Sequence, residues 1–187
     1  MSDDLFAGAA RPIRLRSRRL PLDEGKSINS LSTLLKILRD DPTPETHVDL
    51  YRGHSNRNYL LRPSLFRDGA PRRDEPNLLR ELISAHPREF SEDSTTFERL
   101  VRMQHYTMPT RLLDLSFNPL VGMYFACFSK SNAVGHLIRI RVPKSEVKYY
   151  DSDTVSGLAN LAHLKPEERQ YIRDCKQDAD IYKDNAG

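Results

Sequence analysis

The chain has 187 residues, a mass of 21.6 kDa and a formal net charge of +3. That length suits one domain, or one domain with a tail, and gives a core that needs no disulfide or metal staple. With 38% apolar and 29% charged residues the composition is that of a folding chain. No apolar run approaches the ~18 residues of a membrane helix. The N-terminus has no uninterrupted apolar stretch of the secretory kind.

Cys127 and Cys175 lie far apart without CxxC spacing, which argues against a disulfide framework and the common zinc clusters and suits a reducing, cytoplasmic setting. His86, His136 and His163 are scattered without HxH or HxxxH spacing, so no metal site is expected. Among 29 basic residues 21 are Arg. The guanidinium fork suits carboxylate and phosphate, although a genome's base composition produces the same bias.

Residues 1–26 carry Arg11, Arg14, Arg16, Arg18 and Arg19 and read as an Arg-rich flexible arm. Order is expected from Ser27, so the second region spans residues 27–187. Ile28, Leu31, Leu34, Leu35 and Leu38 recur at helical spacing, with Ser27 as the N-cap, and the two prolines of DDPTPET end the helix. HVDLYRG (47–53) reads as a strand, with Val48, Leu50 and Arg52 on one face and Asp49 and Tyr51 on the other. A guanidinium at the end of an apolar strand face must meet an acid, carbonyls or an anionic ligand. The local pattern leaves a salt bridge and a ligand site equally open.

Residues 59–70 form an extended apolar segment broken by Pro63, and a charged loop PRRDE follows. PNLLRELISAH has the stripe of a helix, with Pro76 in its first turn. Thr95 and Glu98 form a capping-box pattern for the next helix, which ends before Pro109. Gln104 and His105 stand at the C-terminal end of its core-facing stripe. TRLLDLS is short and β-like, or a tight irregular turn. Asn118 and Pro119 then open a helix whose residues Val121–Phe128 are apolar nearly all round, so it is expected to be highly buried over about 118–128. Polar residues gather before it: Gln104, His105, Thr110, Arg111, Asp114 and Asn118. Arg111 and Asp114 simply pairing with each other is the plainer reading of those two.

GHLIRIRVP (135–143) is the clearest strand, and Arg139 and Arg141 on its half-polar face are expected to be solvated. Short helices fit GLANLAHL and PEERQYIRDCK, and no pattern marks the last ten residues. The fold class is therefore α+β, a mainly antiparallel sheet with packed helices.

YRGHS (51–55), followed by Gln104, His105, Tyr106, Pro109, Thr110, Arg111, Leu112, Leu113, Asp114, Asn118, Pro119, Tyr124, Phe125 and Ala126, resembles the FRG domain family, named for its aromatic-Arg-Gly motif. The resemblance covers roughly residues 27–145. Leu115 stands where the family usually has Trp, and its late RI-x-x-Q-x-G-x-F-like strand has no counterpart after residue 145. Such domains occur mostly in bacteria and phages, often in toxin or defence settings. The aromatic-Arg-Gly strand is similar to the first motif of Arg-type ADP-ribosyltransferases, an analogy between short motifs.

The resemblance implies NAD as cofactor, with Arg52 on diphosphate or ribose and Arg111 and Asn118 beside it. Tyr51 or Tyr106 would stack on a ring, and His105, Gln104 and Asp114 would form the catalytic group. Glu146, Glu167 and Glu168 are the only glutamates after residue 135, and none forms the ExE or QxE pattern of such transferases. The alternative is a non-catalytic module binding a nucleotide-like molecule or a protein partner. A third reading is nucleic-acid binding through the arm and Arg57, Arg62, Arg67, Arg72 and Arg73, with strong salt dependence. No membrane association is expected.

Overall fold

A computed structural model describes residues 27–67, 75–128 and 133–184. The expected Arg-rich arm, Arg72 and Arg73 lie outside the described residues. The chain divides into two compact units, one within residues 1–59 and 115–147, the other within 60–114 and 148–187. The architecture is α+β.

In the first unit, helix α1 (Leu31–Asp40) starts one turn later than the sequence suggests. Ser30, not Ser27, is its N-cap, and its hydroxyl accepts from the Thr33 amide at 3.2 Å. Ile28, upstream of the helix, still packs on the core. Strands β1 (His47–His54) and β2 (His136–Pro143) pair antiparallel, with Leu50 opposite Ile140 and Arg52 opposite Ile138. Among the described residues these two strands make the sheet, with one further bridge where Tyr51 and Ser116 exchange backbone hydrogen bonds of 2.7 and 2.9 Å. Tyr51, Leu137 and Leu34 form the core, flanked by Ile28, Leu38 and Met123.

Helix α4 (Pro119–Cys127) carries the expected Asn118 cap, whose side-chain oxygen accepts from the Leu120 amide at 2.8 Å. The expectation of a highly buried helix is corrected. Its buried residues are Gly122 and Ala126, whereas Leu120, Val121, Tyr124, Phe125 and the adjoining Phe117 and Phe128 are exposed. The reason is steric. A Cβ on Gly53 would lie 1.9 Å from the Gly122 carbonyl oxygen and 2.4 Å from the Ala126 nitrogen. Helix and strand backbones therefore meet directly. That contact admits only the small side of the helix and turns its large residues outward.

The strand arginines are also corrected. Arg139 is buried and Arg141 largely so. Arg139 pairs with Asp41 and, at 3.6 Å, with Asp49. Arg141 forks onto Asp49 at 2.8 and 3.0 Å and reaches Asp41 at 3.1 Å. The polar half of β2 faces inward because two aspartates wait there. Alternation fixed the faces, but the acids that decide between them sit far away in sequence.

In the second unit, α2 (Glu75–Ala85), α3 (Thr96–His105) and α5 (Asp153–Asn160) surround Leu79, Phe90, Leu100, Met103, Ala159 and Ala162. Both halves of the capping box form: Thr95 accepts from the Glu98 amide, and Glu98 accepts from the Thr95 amide. At its other end α3 closes with Met108 N–H on the Met103 carbonyl and Thr107 N–H on the Gln104 carbonyl, a Schellman turn. Thr107 takes φ 62°, where glycine is the usual occupant. Helix α6 (Pro166–Asp184) runs on through residues that show no pattern, as a nucleated helix extends cheaply. No helix among the described residues is long and apolar enough to cross a membrane.

Candidate functional site

The expected polar group falls in both units. Arg52, Tyr51 and Asn118 belong to the first, and Gln104, His105, Tyr106, Arg111 and Asp114 to the second.

In the first unit β1 ends on Arg52, Gly53 and His54. Arg52 is half-buried, and its Nε donates to His54 Nε2 at 3.4 Å. A guanidinium has only donors, so Nε2 accepts and Nδ1 carries the proton, which bonds to the Tyr59 carbonyl at 3.1 Å. His54 is buried, with its ring edge-on to Tyr59 at 6.2 Å. The arrangement holds the guanidinium from its Nε side. Tyr51 turns into the core beside Leu34 and Leu137, so its ring offers no stacking face. Burial, then the Asp49 carboxylate, raises its phenol above the usual range. Asn118 is committed to capping α4.

The sheet's inner face is charge-balanced. Burial pushes the Asp49 carboxyl up, but hydrogen bonds from Arg141 and Thr43 and the nearby Arg139 charge outweigh it, so the net shift is downward. The Asp49 hydrogen bond, foremost, raises Arg141 in turn.

In the second unit Thr110 is fully buried, and its hydroxyl donates to Gln104 Oε1 at 2.7 Å. Gln104 donates through Nε2 to Asp114. Gln104 thus bridges helix α3 to the irregular segment that follows it. The Thr110 backbone is tied to Ser64 and Leu65. His105 is exposed at the last position of α3. Tyr106 is half-exposed, and its hydroxyl donates to Glu89 at 2.6 Å, which raises the phenol above its usual range.

Arg111 does not pair with Asp114. It forks onto Glu75, in the first turn of α2, at 2.8 and 2.6 Å. Arg169 of α6 reaches the same carboxylate at 3.2 Å. Glu75 is 1% exposed, yet it sits in a stretch that reads as a charged loop, and nothing in the sequence joins it to Arg111 or Arg169. Asp41, Asp49 and Glu75 were the residues that sequence reasoning missed. Among the described residues no cluster of His, Cys, Asp and Glu is arranged to hold a metal ion.

Residues 48–134 match the family model of the FRG domain. The chain contains an FRG domain. The match includes Arg52, the Gln104–Asp114 segment and α4. No curated protein and no solved structure matches the chain.

Proposed function

We propose that the FRG domain binds a nucleotide-like ligand of the NAD or ADP-ribose class, with Arg52 as the residue that meets its diphosphate. The observation that carries this reading is Arg52 itself, half-buried at a strand end and steadied by the buried, neutral His54. A guanidinium restrained in this way loses little side-chain freedom on meeting a diphosphate, and charge-assisted bidentate contacts are among the stronger hydrogen bonds. Gln104, Arg111 and Asn118 are each engaged in holding a helix or a turn, which favours a binding module over a transferase. The FRG domain would then serve a cytoplasmic bacterial or phage effector as its ligand-sensing part.

Thermal unfolding and calorimetric titration with NAD, ADP-ribose, ATP and a short DNA duplex test the reading. A ligand that binds only the native state raises its stability by mass action. NAD or ADP-ribose should raise the Tm of the wild type and not of Arg52→Ala, while duplex DNA should not. No shift with any nucleotide sinks the proposal. Release of nicotinamide from NAD would promote the transferase reading over the binding module.

A further inference from the structure

Helix α4 sorts its side chains into rows. Gly122 and Ala126, one turn apart, make the small row against β1. Leu120, Tyr124 and Phe128 make a second row at the same four-residue spacing, with Val121 and Phe125 in a third beside it, and both of these rows are exposed. Phe117, just before the Asn118 cap, adds a fourth exposed aromatic ring. No charged residue occurs between Leu115 and Phe128. The rings are ordered against one another: the Tyr124 centroid lies 5.4 Å from that of Phe125, edge-on, and 5.1 Å from that of Phe128. Little rotamer freedom is then left to lose on association.

The area decides what this face can support. The four aromatic residues are between 53% and 72% exposed. At ~150–250 Å² for a whole aromatic side chain, they alone present about 500 Å² of surface. Leu120 and Val121 extend the face to the upper end of the ~300–600 Å² that the largest apolar patch of a monomer covers. Burying it on two copies removes about 1,000 Å² or more, the size at which specific interfaces begin.

We propose that this face is the interface between two copies of the chain, α4 meeting α4 about a two-fold axis. A two-fold contact sets a patch against itself, and a patch without charges meets its copy without repulsion. Residues 1–26 are a poorer cover, because their five arginines would be stripped of water against a surface that offers no acid. A membrane surface fits less well too, because an interfacial helix keeps a charged face for headgroups, whereas the opposite side of α4 is taken by β1.

Sedimentation equilibrium of the full chain tests the proposal. Between about 1 and 100 μM the mass should rise from the 21.6 kDa of one chain to twice that value. Tyr124→Glu should raise the dimer Kd at least about a hundredfold, because each copy would bury an unpaired carboxylate against the other. Its far-UV circular dichroism should match the wild type, since position 124 is exposed in the single chain. An equimolar mixture of Tyr124→Glu and Tyr124→Lys should restore the dimer. Tyr149→Glu, at an exposed position outside α4, and Arg52→Ala should both dimerise as the wild type does. A wild-type chain that stays monomeric over the whole range overturns the proposal, as does a dimer that persists in Tyr124→Glu. A monomer that sediments with phosphatidylcholine–phosphatidylglycerol vesicles, and loses them in Tyr124→Glu, would overturn it in favour of lipid.

Discussion

The first unit carries two buried arginines against two aspartates, while in the second two arginines share one glutamate. The balanced set lies across the sheet, where Arg139 and Arg141 tie β2 to β1 and to the end of α1. Each cation has two acids and each acid two cations, so the network satisfies itself. The unbalanced set joins α2, α6 and the segment after α3, and leaves one guanidinium donor, Arg169 Nη2, buried without a partner. A balanced buried network is explained by architecture alone.

The sharpest way to break the comparison is at the glycines. Gly53→Ala drives a Cβ into the backbone of α4, which has no flexible side chain to yield. It should cost more than about 4 kcal/mol, or prevent folding of the first unit. Gly157 in α5 meets nothing within 4 Å, so Gly157→Ala should gain about 0.5–1 kcal/mol from helix propensity. Urea denaturation of both variants reads the contrast, and similar midpoints would refute the direct backbone contact.

Next in size are the acids. Glu75→Gln removes the single carboxylate from two buried arginines and should cost about 3–5 kcal/mol. Asp49→Asn should cost less, about 1–3 kcal/mol, because Asp41 still faces both Arg139 and Arg141. The reverse order in chemical denaturation would mean that the first unit depends on Asp49 alone.

Acid should distinguish the units more gently. His163 is held below its usual 6.5, so the unfolded chain takes up the proton first. Stability then falls as pH drops below about 6.5 toward the lowered folded value. Asp49 is held below 3.8, so its contribution is intact above about pH 4 and is lost as pH falls through the lowered value. His163→Gln should flatten the upper decline and leave the lower one unchanged in Tm measured against pH.

Short-range features were legible in the sequence. The capping box at Thr95 and Glu98, the Asn118–Pro119 helix start and both strands are set by neighbouring residues, and each forms. Burial was harder to read. An apolar helix looks central, but the Gly53 contact selects its small side, and that selection depends on a strand more than sixty residues away. Partners were least legible. Arg111 looks as though it belongs to Asp114, three residues on, yet it pairs with Glu75 across 36 positions. Arg52 was visible as a placement at the end of its strand, whereas its contact with His54 depended on β1 running one residue further than the sequence suggests.

Thr107 closes α3 in a conformation that L-residues avoid and β-branched ones avoid most. The polypeptide there bends against its own chirality. What keeps it bent is the pair of Schellman hydrogen bonds, together with Met103 and Met108, which both pack on the same core. Helix α3 is therefore tensioned at one end and locked by its capping box at the other. Its fraying starts at the Thr107 end, where release of the strained dihedral offsets part of the cost of opening, and the Gln104 bridge is among the first contacts to feel it.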